Sequence, residues 1–88
     1  MRVVEKIIVE VMLKPEILDP QGRAILGIFN RSGHAAIENV RQGKRFEISI
    51  NQPITDELLD EIEELAATVL SNPVIETYAI YTDEGETA

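Results

Sequence analysis

Leu18-Asp19-Pro20-Gln21-Gly22-Arg23 is the stretch that divides this chain. A β-branched run from Val3 to Leu13 precedes it, and an apolar run at helical spacing follows it. Asp19 reads as a helix N-cap, because its carboxylate accepts from N–H groups that a first turn leaves unpaired and suits the positive end of the helix dipole. Pro20 fits the first helical position, where a missing N–H costs nothing. Gly22 is the anomaly. Alanine in that first turn would favour the helix by ~1 kcal/mol, so a contact or a backbone constraint is expected there.

Upstream, Val3, Glu5, Ile7, Val9, Val11 and Leu13 share one face of a strand; Val4, Lys6, Ile8, Glu10, Met12 and Lys14 share the other. The first set is almost wholly apolar and should face a core. Pro15 ends the strand, since it cannot donate to a ladder. Downstream, Ala24, Ile25, Ile28 and Phe29 form a helical stripe, with Leu26 on its flank and Gly27 outward. Gly33 is the expected left-handed cap. Ala36–Arg41 reads as a weaker strand, Gln42-Gly43 as a tight turn, and Lys44–Ile50 as a strand with Phe46, Ile48 and Ile50 inward, together a hairpin. Thr55 caps a second helix, with Ile54 and Leu59 at the staple positions. Its expected buried stripe is Leu58, Leu59, Ile62, Leu65, Ala66, Val69 and Leu70. Asn72 is a plausible left-handed stop, Pro73 forbids continuation, and Val74–Tyr81 is the last strand.

The order βαββαβ predicts an α+β fold: a ferredoxin-like two-layer sandwich with a four-stranded antiparallel sheet and both helices on one face. Residues 1–82 form a single domain, and 83–88 an acidic flexible tail. The second sheet face has no cover and carries Val4, Ile8, Met12 and part of Ile75, Ala79 and Tyr81. Such a patch favours self-association, as homodimer or tetramer.

Composition narrows the function. An 88-residue domain buries only about 60–65% of its unfolded surface, so a partner or a second copy is a common source of added stability. With no cysteine and one histidine, disulfide staples are excluded and a structural zinc site is disfavoured. A net charge of −8 opposes nucleic acid and anionic membranes. No run approaches the ~18 apolar residues of a membrane span. No secretory signal is visible either, so a cytoplasmic location is expected.

Catalytic machinery is thin. His34 follows Gly33 in a loop and reads as solvated, and the acidic run from Asp56 to Glu64 lies along an exposed helix face. Gly43-Lys44 lacks the upstream glycine of a phosphate loop. No catalytic, metal or cofactor-binding residues are assigned. Arg41, Lys44 and Arg45 cluster near the expected hairpin tip. They suit either an acidic or phosphate-bearing partner or simple edge protection.

Four stretches occur in a familiar order: Val11-Met12-Leu13-Lys14, then Leu18 through Ala24, then Val40-Arg41-Gln42-Gly43-Lys44, and Leu70-Ser71-Asn72-Pro73-Val74-Ile75-Glu76. In these the chain resembles the PurS family, small accessory subunits of phosphoribosylformylglycinamidine synthase in purine biosynthesis. It departs from the usual pattern at Leu26-Gly27 and Gly33-His34-Ala35-Ala36. The resemblance implies a required subunit with no catalytic residues of its own. It would form homo-oligomers and bridge a PurL synthetase and a PurQ glutaminase. It would also support ammonia transfer for glutamine- and ATP-dependent amidation of formylglycinamide ribonucleotide. Asp19, Pro20, Gly43, Asn72 and Pro73 are explained at least in part by turns and caps. Gln21, Gly22, Arg23, Arg41 and Lys44 are the candidates for partner contact. The alternative is a small-molecule-sensing module like an ACT domain, on the same fold.

Overall fold

The computed structural model describes residues 5–83. Strand β1 (Glu5–Leu13) leads to helix α1 (Pro20–Arg31), strand β2 (Gly43–Ile50), helix α2 (Asp56–Leu65) with a π-helical turn at Ala66–Leu70, and strand β3 (Glu76–Asp83). The first residues expected in β1, Val3 and Val4, and the tail from residue 84 lie outside the described residues.

β1 sits in the middle of an antiparallel sheet of order β2-β1-β3. Its register places Val9 between Phe46 and Ile80, and Val11 between Lys44 and Tyr78. Ile7, Val9 and Val11 are wholly buried, as the alternation expects, against Ile62 and Ala66. Each contributes about 1.5–3 kcal/mol by leaving water. A one-residue slip would turn all three outward, so this register is strongly specified. Ile8, on the opposite face between Glu47 and Tyr81, is also buried.

The caps form as read. Thr55 accepts from the Leu58 N–H at 3.1 Å, and Asp56 and Glu57 occupy the first turn of α2. Glu5 accepts from the Ile54 N–H at 2.8 Å, tying the start of β1 to the entry of α2. Gly33, at φ 90°, closes α1 with two bonds: its own N–H donates to the Asn30 carbonyl, and the His34 N–H to that of Phe29.

Several expectations need correction. The sheet has three strands among the described residues, not four. Ala36–Arg41 forms no ladder, and Gln42-Gly43 is no hairpin turn, because Gly43 opens β2 opposite Met12. The physical reason lies in the segment itself. Ile37 and Val40, its half-buried apolar residues, are three apart rather than alternating, and the Arg41 side chain bonds to the β1–α1 turn instead (below).

Second, α1 does not lie on the sheet. Gly22 is its only buried residue, and none of its side chains joins the core or the residues packed on it. Ile28 is 52% and Phe29 37% exposed.

Third, the α2 stripe is narrower than expected, with Leu65 47% and Val69 70% exposed. Leu65 lies on the flank of the stripe, where a neighbouring helix would be needed to cover it. At Val69 the π turn adds a residue to the winding, which carries Leu70 toward the core and Val69 away from it. The Ser71 hydroxyl donates to the Ala66 carbonyl at 2.7 Å across that turn. Asn72 is not left-handed, since among the described residues no non-glycine has positive φ. The stop is instead an extended Ser71, followed by an Asn72 side chain that accepts from the Val74 N–H.

Candidate functional site

The segments around Asp19, Arg41 and Asn72 meet at one end of the sheet. The register fixes this: Met12 lies opposite Gly43 on one side, and Leu13 opposite Glu76 on the other. The end of β1, the start of β2 and the start of β3 therefore share an edge with the first turn of α1.

Asp19 is the hinge of the arrangement. One carboxylate oxygen accepts from the Gly22 N–H at 2.9 Å, as an N-cap should. The other accepts from the Gln42 N–H at 2.7 Å, which carries the cap across to the segment before β2. The residue is buried, which by itself would raise its pKa. The Gln42 bond first, then the Gly22 bond and the Arg41 charge, outweigh burial and hold the carboxyl below its ordinary value of 3.8.

Gly22 owes its identity to the same crossing. A Cβ there would overlap the Val40 carbonyl oxygen and fall 2.9 Å from an Asp19 carboxylate oxygen. The anomaly noted in the sequence is thus a close approach of two backbones.

Arg41 completes the junction. Its guanidinium donates to the carbonyls of Ile17 at 3.0 Å, Lys14 at 2.9 Å and Leu13 at 3.4 Å. These are carbonyls at the end of β1 and in the loop beyond it that no ladder satisfies. A planar fork with several fixed donors suits that task, and lysine would not. On the far side, Lys44 pairs with Glu76 at 3.6 Å, and Glu76 also accepts from the Asn72 N–H at 2.7 Å. The Lys14 N–H donates to the Ile75 carbonyl at 2.8 Å, closing the ring of segments.

Two open concavities flank Asp19. One, of about 390 Å³, is lined by Glu16, Leu18, Arg23, Leu26, Asn39 and Arg41 among others. The second, of about 280 Å³, is lined by Gln21, Gln42, Lys44 and Glu76. Gln21, Arg23 and Lys44 are exposed at this end, whereas Gly22 is buried and Arg41 half-buried. Of the partner-contact candidates, Gly22 and Arg41 therefore have internal work, Lys44 is exposed but paired with Glu76, and Gln21 and Arg23 present free surface. Arg45 points away: it pairs with Glu47 on the face opposite α2 rather than joining Arg41 and Lys44 at a hairpin tip.

Sequence reasoning did not foresee the second bond of Asp19, the carbonyl set on Arg41, or Glu76. The misfit of Gly22 in a first turn was the one local signal that another segment passes there.

A sequence model of the PurS family, described as phosphoribosylformylglycinamidine (FGAM) synthase, matches residues 6–84. The chain belongs to the PurS family. It is 49% identical over 73 residues to phosphoribosylformylglycinamidine synthase subunit PurS of Mycobacterium leprae, covering 83% of this chain and 89% of that protein. The crystal structure of Methanocaldococcus jannaschii PurS, a subunit of formylglycinamide ribonucleotide amidotransferase, superposes with a TM-score of 0.80 at 32% identity. That match covers 93% of this chain and 99% of that one. A chain of the PurLQS structure from Thermotoga maritima shares the fold, with a TM-score of 0.79 at 19% identity over 90% of this chain and 96% of its own. Family membership does not favour the ACT-like alternative. Among the described residues no helix is long and apolar enough to cross a membrane.

Proposed function

We propose that this chain is the accessory subunit of a cytoplasmic phosphoribosylformylglycinamidine synthase, joining a PurL synthetase to a PurQ glutaminase. It would carry no catalytic residue itself and would support delivery of ammonia for the glutamine- and ATP-dependent amidation. The observation that carries the proposal is the convergence of three family stretches on one sheet end. There Asp19, Gly22 and Arg41 lock the backbone, while Gln21, Arg23 and Lys44 are left exposed. Rigid backbone beneath exposed polar side chains is what a specific docking surface needs. Residues 1–82 act as one unit.

The test is reconstitution. Adding the chain to cognate PurL and PurQ should restore glutamine-dependent conversion of formylglycinamide ribonucleotide. Arg23→Ala should keep the wild-type circular dichroism and lower that activity about tenfold, equivalent to ~1.4 kcal/mol of lost contact. No gain of activity with cognate subunits, together with calorimetric binding of a free amino acid by the chain alone, would overturn the reading.

A further inference from the structure

We propose that the larger concavity beside Asp19 seats a short segment of a PurL or PurQ subunit, one that carries an aliphatic side chain close to a carboxylate. The proposal rests on the accessory role given above and names the chemistry that the partner brings to it. Leu18 is its first support. This residue stands directly before the Asp19 cap, where an apolar side chain ordinarily packs against another at the fourth helical position and so fixes the start of the helix. In α1 that fourth position is Arg23, and Leu18 is left 61% exposed. The second helix shows the contrast. There Ile54 and Leu59 hold the same two positions, and both are half-buried against the core. Leu18 therefore has no folding contact of this kind to explain it.

Leu18 lines the concavity of about 390 Å³ together with Ile17, Leu26 and Val40, an apolar wall on which Arg23 and Arg41 set two positive charges. Among the described residues neither arginine pairs with a carboxylate: the Arg41 guanidinium is held by backbone carbonyls, and the Arg23 side chain makes no hydrogen bond. Two carboxylates line the same space. Asp19 is buried, with its oxygens turned to the Gly22 and Gln42 N–H groups, so Glu16 alone is exposed there. In a chain of net charge −8 this mouth thus suits an acidic partner, whereas the surface as a whole suits a basic one. The wall is also pre-set. The Ile17 N–H donates to the Lys14 carbonyl at 2.9 Å, and Arg41 bonds both carbonyls, so little order is lost when a segment docks. The smaller concavity offers less, because its one cation, Lys44, is already paired with Glu76.

The full chain, titrated into cognate PurL and PurQ with glutamine-dependent amidation as the readout, tests this. Leu18→Ala should need about tenfold more chain for half-maximal activity and reach the wild-type rate at saturation, because docking and not chemistry is weakened. Its far-ultraviolet dichroism should be unchanged, since Leu18 lies outside the core. Added salt should weaken the wild type more than Arg23→Gln, because screening removes a charge pair that the variant no longer has. A benzophenone-bearing amino acid in place of Leu18 should crosslink on irradiation to PurL or PurQ, and mass spectrometry should find Asp or Glu within three residues of an aliphatic residue in the captured peptide. A wild type that restores no activity removes this proposal and the accessory role together. Full restoration by the wild type removes this proposal alone if Leu18→Ala saturates at the wild-type concentration, if salt weakens Arg23→Gln as much as the wild type, or if the crosslink goes to a second copy of this chain or to a peptide without a carboxylate.

Discussion

Substitution of Gly22 by alanine puts the junction to a sharp test, because two effects of known sign compete there. At the third position of an exposed helix, alanine is worth ~1 kcal/mol over glycine. Here the new Cβ would overlap the Val40 carbonyl oxygen and crowd both oxygen and carbon of the Asp19 carboxylate at 2.9 and 3.0 Å. The nearest obstacle is backbone, not the free end of a side chain, so relief requires residues 40–42 to move and the Gln42 N–H to leave Asp19. Overpacking of this kind costs about 1–3 kcal/mol before any hydrogen bond is lost. Adding the strained cap and subtracting the helix gain leaves a net loss of about 2 kcal/mol. For a domain of this size that is a fall of roughly 10 °C in Tm. Gly27 supplies the control on the same helix. A Cβ there meets only the Arg31 guanidinium, at 3.2 Å, which can swing aside. Gly27→Ala should therefore raise Tm by about 5 °C. Thermal melts followed by circular dichroism at fixed protein concentration measure both. If Gly22→Ala melts at or above the wild type, the reasoning about the crossing is refuted, because helix propensity alone would then account for the site.

Asp19 should give the chain a specific acid sensitivity. Its folded pKa lies below its unfolded one, so its stabilising contribution is fully present above the ordinary value of 3.8 and is lost as pH falls from there through the folded value. Asp19→Asn should lower stability by a constant amount at neutral pH, and the gap to wild type should shrink below about pH 3.8 in urea titrations run at stepped pH. A gap independent of pH down to pH 2 would count against the two backbone bonds as its source. Thr55→Ala should cost about 1 kcal/mol, visible as a lower urea midpoint with unchanged slope, because only the Leu58 N–H loses its partner.

The sequence by itself determined what depends on near neighbours. The alternation of β1 selected Ile7, Val9 and Val11 for the core. Asp19 with Pro20, and Thr55 with its acidic first turn, set the starts of both helices, and Gly33 set the end of the first. The spacing of the family stretches carried the resemblance to PurS. Each of these is settled within a few residues, by strand pleat, orphan N–H groups or a backbone angle. The tertiary structure decided what depends on segments far apart in the chain. Ala36–Arg41 has backbone groups that suit a ladder or a turn equally, and only the approach of Asp19 and the carbonyls around Lys14 drew it out of the sheet. The helical stripe of Ile25, Ile28 and Phe29 shows that α1 has an apolar face, but not which surface covers it. Its place beside the end of β1, away from the core, was set by the anchoring of its first turn, which a local pattern does not encode. Leu18 through Arg23 shows both limits. Its cap and its proline were legible from position alone, while its glycine marked a crossing whose other strand of backbone lies eighteen residues downstream, at Val40.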